Sequence, residues 1–163
     1  MDRITNVIKR REDMEGKAID FIEVMKNVGQ LFNINELAAF NEKQVKDGGR
    51  IALKYNDGEV SVDIVYDEHF HRIVLGCQVF TLPKDYEKLL ELYQIFLASN
   101  VYWSGTQGQG ITIGVLPDEK EVFLCKHYSL PFFDLASLKQ EIDGFGQCCC
   151  TWRQALEAIV QSR

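Results

Sequence analysis

Long apolar runs are missing from this 163-residue sequence. No stretch approaches the roughly 20 consecutive apolar residues that a membrane-spanning helix needs. The opening residues Met1–Asn6 also lack the apolar core and the small-residue cleavage site of a signal peptide. We therefore expect a cytoplasmic chain that has no membrane partner.

Basic charge is scarce as well. The chain has 18 Lys and Arg against 24 Asp and Glu, which gives a formal net charge of −6. Its one basic cluster, at residues 9–11, is followed at once by Glu12, Asp13 and Glu15. Proteins that bind nucleic acid concentrate Lys and Arg on one face. The composition therefore excludes nucleic acid as an expected partner and suits a soluble protein or a basic protein partner.

Cysteine and histidine do not form any familiar metal-binding pattern. The five cysteines are Cys77, Cys125 and the contiguous run 148–150, which is a poor basis for a disulfide framework. Structural zinc sites need ligand pairs at spacings such as C-x-x-C, and none is present. We expect no metal and no cofactor. Cys149 falls on the apolar stripe of the last predicted helix and is interpreted as a core residue.

No set of catalytic residues emerges either. His69, His71 and His127 accompany no nucleophile-elbow sequence of the type G-x-S-x-G. The glycine-rich segment 105–110 follows a helix and precedes a strand, whereas phosphate-binding glycines join a strand to the helix after it. The sequence therefore predicts that the protein is not an enzyme. A thiol-dependent enzyme remains as a minor hypothesis.

The apolar pattern predicts an α+β domain over residues 16–163, preceded by a charged extension over residues 1–15. Period-2 and period-3.6 patterns alternate along the chain, and three successive strands read as an antiparallel meander. Asp134 is a plausible N-cap of the last helix, which we read as one long helix despite Gly144 and Gly146. The predicted elements are a helix over about Gly16–Phe32, strands at Arg50–Tyr55, Val60–Tyr66 and His71–Leu82, a helix from Pro83 to about Ala98, strands at Ile111–Leu116 and Glu121–Tyr128, and a helix from Leu135 to Ile159.

The middle helix is apolar around more than half of its circumference. A helix that rests on one sheet needs only one apolar stripe, so its second apolar side calls for a second cover. In a domain of this size that cover could be another subunit, and the pair Tyr102–Trp103 adds more apolar surface. The alternative is that all of these residues are core. The apolar residues of the helix are Tyr86, Leu89, Leu90, Leu92, Tyr93, Ile95, Phe96 and Leu97.

The passage that follows the middle helix carries a family resemblance. A leucine-rich helix beginning at Leu89 leads into an aromatic pair and a small-residue segment that ends at Thr106, followed by the strand Ile111–Val115 and a turn at Pro117. Over about Ala18–Ile159 this order resembles the Tir chaperone (CesT-like) family. Its members are the class I chaperones of bacterial type III secretion.

The resemblance implies a homodimer in the bacterial cytoplasm that supports virulence and needs no nucleotide. Each subunit would bind the non-globular N-terminal segment of an effector protein, keep it soluble and present it to the secretion apparatus, with the secretion ATPase as a further partner. The implied effector-binding groove consists of Phe21, Met25, Phe32, Ile51, Leu53 and Val65. The implied dimer interface consists of Leu89, Leu92, Tyr93, Ile95, Phe96, Tyr102, Trp103, Ile111, Ile113 and Val115.

A second function is compatible with the same fold. A dimeric adaptor or regulator would bind a folded partner, such as a secretion ATPase or a transcription factor, in place of an extended effector segment. The two functions differ in whether partner binding depends on the effector N-terminus.

Overall fold

A computed structural model describes residues 21–34, 50–67, 69–70, 72–106, 108–116, 120–129 and 136–161. The predicted N-terminal extension, the predicted helix start near Gly16 and the predicted N-cap Asp134 lie outside the described residues. Among the described residues, no helix is both long enough and apolar enough to cross a membrane.

The described elements follow the predicted order and confirm the α+β fold. The bounds of the strands lie within one or two residues of those predicted from the sequence. The elements are α1 (Phe21–Leu31), β1 (Arg50–Tyr55), β2 (Val60–Asp67), β3 (Arg72–Thr81), α2 (Tyr86–Asn100), β4 (Thr112–Leu116), β5 (Glu121–Ser129) and α3 (Leu138–Gln161).

Within the described part of the chain, one sheet has the strand order β1-β2-β3-β5-β4. Strands β1 and β2 pair antiparallel, with Leu53 opposite Val62. Strands β4 and β5 also pair antiparallel, with Ile113 opposite Leu124. The last two strands therefore extend the sheet of the first three, and β1 and β4 lie at its two edges.

The turn between β1 and β2 has the conformation that its sequence favours. Residues 56–58 read Asn-Asp-Gly, in which Asp57 has φ 54° and Gly58 has φ 91°. Asp and Gly are among the residues that tolerate the left-handed region best. Residues 56–58 thus connect the two strands by a short 3₁₀ segment.

The chain divides into two compact units. Of the described residues, one unit comprises 21–34, 66–67, 69–70, 72–73, 128–129 and 136–139, and the other comprises 50–65, 74–106, 108–116, 120–127 and 140–161. In the first unit, Phe21 stacks on Tyr66 with ring centroids 4.6 Å apart, and the Lys139 ammonium lies 4.7 Å from the ring centroid of Phe32. Val24 and Val28 of α1 are fully buried. Together with Phe21 and Met25 they form the buried face of α1.

In the second unit, α3 runs unbroken through Gly144 and Gly146. A Cβ atom on Gly146 would lie 2.8 Å from the Tyr55 ring, so the absence of a side chain lets β1 approach the helix. The Tyr55 hydroxyl donates a hydrogen bond of 3.1 Å to Asp143. Burial, and then the negative charge of Asp143, raise the pKa of Tyr55. The prediction of a single long helix is confirmed.

Candidate functional site

Helix α2 starts at a well-defined cap. The carboxylate of Asp85 accepts a 2.9 Å hydrogen bond from the backbone N–H of Lys88, as Asp does at favourable N-caps. On its inner side, Leu92 and Phe96 are buried, and Leu92 has no exposed surface at all. These contacts set the rotation of the helix about its axis.

The outer side of α2 is also apolar. Tyr86, Leu90, Tyr93 and Leu97 follow one another at steps of four, three and four residues, which places them on one face of a helix. All four are exposed, Tyr86 by 75% and Leu97 by 70%. Together with exposed Val101, they form what we call the apolar strip. A contiguous apolar surface of this kind is typical of protein interaction sites.

The chain after the strip adopts a strained conformation. In the 3₁₀ segment Val101–Thr106, both Tyr102 and Trp103 have left-handed backbones, with φ of 53° and 51°. Each such residue costs roughly 1–2 kcal/mol when it is not glycine. Both side chains are exposed, Tyr102 by 91%. The strain presents two aromatic rings beside the apolar strip, and strain of this kind often accompanies binding sites.

Several hydrogen bonds hold this turn in place. The indole N–H of Trp152 on α3 donates to the Gly105 carbonyl at 3.1 Å. The Ser104 hydroxyl donates to the Ala98 carbonyl at 3.0 Å, and the buried Thr106 hydroxyl is 3.2 Å from the Trp103 carbonyl. The conformation is therefore fixed by contacts to both α2 and α3.

Gly105 marks a point of close approach in this turn. A Cβ atom there would lie 2.4 Å from the Cβ of Ser99 and 2.9 Å from the Trp152 ring. The glycine therefore allows the turn to fold back on α2 while α3 lies against it.

A side chain joins the end of α2 to the edge strand β4. The amide of Asn100 donates to the Ile113 carbonyl at 2.9 Å, and its oxygen accepts the Ile113 N–H at 2.9 Å. This pair of bonds imitates the backbone pairing of a neighbouring strand. Because of it, α2, the turn and β4 form one connected surface.

The predicted dimer residues differ in how exposed they are to solvent. Tyr93, Tyr102 and Trp103 are exposed, and Leu89, Ile95 and Val115 are half-buried. The buried members are Leu92, Phe96, Ile111 and Ile113.

The predicted groove residues lie in both compact units. Phe21, Met25 and Phe32 belong to the first unit, and Ile51, Leu53 and Val65 belong to the second. Phe21, Met25 and Leu53 are buried, and Met25 has no exposed surface. Phe32, Ile51 and Val65 are half-buried and keep accessible surface for a partner.

The sequence interpretation left out much of the exposed apolar surface. The exposed residues Tyr86, Val101 and Leu116 lie outside the predicted dimer contact, which covers Leu89–Leu97 of the middle helix and Ile111–Val115 of the strand. The signal was present, since the steps of four, three and four from Tyr86 define a stripe that excludes Leu92 and Phe96.

The cysteines have the properties of core thiols. Cys77 and Cys149 are fully buried. The contact with Cys77, together with burial, raises the pKa of Cys149, and the same contact lowers the pKa of Cys77. Burial raises the pKa of Cys125 and Cys148. The placement of Cys149 in the core is confirmed. Over the described ranges, no group of three or more His, Cys, Asp or Glu side chains could hold a metal ion.

Comparison with known proteins gives matches among solved structures. A chain of the ExsC–ExsE complex is similar with a TM-score of 0.58 at 13% identity, over 85% of this chain and 97% of that one. A chain of the HopA1–SchA chaperone–effector complex is similar with a TM-score of 0.54 at 14% identity, over 83% and 98%. No protein-family model and no curated protein sequence matches the chain.

The similarity to solved structures concerns the fold. The chain shares its α+β fold, a helix, antiparallel strands and a long C-terminal helix, with these two solved chains. Membership of the Tir chaperone family in particular stays a prediction from the sequence.

Proposed function

We propose that this protein is a homodimeric type III secretion chaperone of the bacterial cytoplasm. It binds the non-globular N-terminal segment of an effector and presents it to the secretion apparatus, with the secretion ATPase as a further partner. The apolar strip on α2 carries the proposal, because a small domain exposes such a surface at the cost of solubility unless a partner covers it. The fold similarity, which spans nearly all of both solved chains, supports the same class.

The apolar strip serves as the pairing surface in this proposal. In a twofold dimer the same patch of each subunit faces its copy, so a stripe of alternating aromatic and leucine side chains can interlock with itself. Tyr102 and Trp103 border the strip and add two rigid aromatic rings. Residues of this type dominate the energy of protein interfaces.

Effector binding uses a different surface. Of the predicted groove residues in the second unit, Ile51 and Val65 keep accessible surface, and β1 is an edge of the described sheet. An extended segment that adds to an exposed sheet edge gains main-chain hydrogen bonds, while pockets beside it select side chains. Binding of this kind needs neither nucleotide nor metal.

Co-purification from a bacterium that produces the protein tests the proposal. The expected result is one dominant secreted protein, whose N-terminal segment is protected from limited proteolysis while bound. Deleting that segment should abolish capture. If capture survives the deletion, the protein is an adaptor for a folded partner. A protein that protects no segment of any partner contradicts the chaperone function.

A further inference from the structure

A groove in the second compact unit lies away from the apolar strip. It has a volume of about 500 Å³ and is lined by residues of the β1–β2 turn, β2, β3, β5 and α3. Sites that bind small molecules or single side chains occupy roughly 300–1,000 Å³. The groove is therefore large enough for a long side chain and the backbone on either side of it.

Two aromatic residues line this groove. Phe80 on β3 and Phe123 on β5 are both half-buried, so each keeps surface that a ligand can cover. An aromatic face offers apolar contact to a hydrocarbon chain and attracts a cation placed over it. A side chain with an apolar stem and a positive head gains from both properties.

The charge of the groove is negative. Glu59, Asp63 and Glu157 line it together with one base, Arg153, so its formal charge is −2 from three acids and one base. The guanidinium of Arg153 is hydrogen-bonded to two other residues that line the groove. Its Nε donates to the Glu157 carboxylate at 3.1 Å, and another of its N–H groups donates to the Glu59 carbonyl. Arg153 is therefore engaged, and the groove repels anions.

We propose that this groove binds a positively charged side chain, lysine or arginine, of a protein segment. The negative formal charge of the groove attracts a cation and gives an uncharged occupant no such gain. A cationic side chain also covers the phenylalanines with its apolar stem. The inference builds on the proposed function, because it assigns one charged position of the bound segment.

A small probe tests the groove without any effector. Nα-acetyl-arginine amide is titrated into the ¹⁵N-labelled full-length protein, with the uncharged analogue Nα-acetyl-citrulline amide as the control. Saturable shifts are expected at the backbone amides of Ser61, Gln78 and Thr81, which line the groove, and only with the arginine probe. Equal shifts with both probes, or shifts confined to other residues, overturn the proposal.

Variants that remove one negative charge from the groove provide a second test of the proposal. Asp63→Asn and Glu59→Gln should each weaken arginine binding at least fivefold, whereas Glu91→Gln, on exposed α2 surface, should leave it unchanged. If Asp63→Asn does not fold, Glu59→Gln decides, because Glu59 is exposed. Equal affinity in Glu59→Gln and Glu91→Gln overturns the proposal. Effector capture is measured separately, so failure of the groove and failure of the chaperone function give different results.

Discussion

The two sides of helix α2 are both apolar, but one side is buried and the other is exposed to solvent. Leu92 and Phe96 are buried in their own subunit, whereas Tyr86, Leu90 and Leu97 are exposed on the other side. Hydrophobicity alone does not separate these groups. The sequence pattern marks both sides of the helix as apolar, and only the packing of the chain determines which side is buried.

The first prediction concerns the inner side. Leu92→Ala removes a fully buried side chain and leaves a cavity, so it should lower the free energy of unfolding by about 2–5 kcal/mol. Denaturant unfolding measures the loss. Leu97→Ala is the control on the outer side and should cost far less when the subunits are dissociated. Equal losses would show that the two sides are not distinct.

The second prediction concerns the outer side of α2. Leu97→Asp places a charge in the centre of the proposed pairing surface and should weaken dimerisation by about 100-fold, roughly 2.7 kcal/mol. Light scattering over a dilution series gives the dissociation constant. Ala98→Asp adds the same charge at the next residue, which is exposed and lies about 100° around the helix. If the two variants dissociate alike, the strip is not the pairing surface.

The third prediction concerns the close approach at Gly105. Gly105→Ala places a methyl group in contact with Ser99 and Trp152, which should destabilise the protein by about 1–3 kcal/mol. Thermal unfolding measures the effect. Gly144→Ala is the matched control, because a Cβ there meets nothing within 4 Å and alanine favours the helix. Gly144→Ala should therefore be neutral or stabilising.

The fourth prediction separates stability from binding. Tyr102→Gly relieves a left-handed backbone at an exposed residue, so the free energy of unfolding of the isolated subunit should rise by up to about 1 kcal/mol. The same change removes an aromatic ring next to the strip and should weaken dimerisation. Tyr102→Ala is the control that loses the ring and keeps the strain. A loss of stability in Tyr102→Gly would contradict the strain argument.

Much of the fold follows from the sequence because its signals are local. The Asn-Asp-Gly turn depends on neighbouring residues and has the left-handed backbone that its sequence favours. In β2, Val60, Val62 and Ile64 are buried. Ser61 is exposed as alternation predicts, whereas Asp63 is buried against that prediction. The unbroken α3 is explained in the same way, since its apolar stripe keeps its phase past Gly144. That stripe continues with buried Phe145 and Leu156.

Less of the candidate site than of the fold could be predicted from the sequence. Ile111 and Ile113, which the family resemblance assigns to the dimer interface, are buried within the chain. The turn that contains the left-handed backbones of Tyr102 and Trp103 is joined to the rest of the chain by hydrogen bonds from Trp152 to Gly105 and from Ser104 to Ala98. No propensity predicts such a conformation for aromatic residues. Long-range packing decides these features, and a local pattern does not contain it.

The Asn100 side chain has a consequence for how the protein avoids self-association of the wrong kind. Strand β4 is an edge strand, and an exposed edge is a template for amyloid-like growth. By occupying both backbone groups of Ile113, Asn100 blocks the position at which a foreign strand would begin to pair. One position of this edge is therefore already saturated with hydrogen bonds, which disfavours polymerisation of the protein through β4.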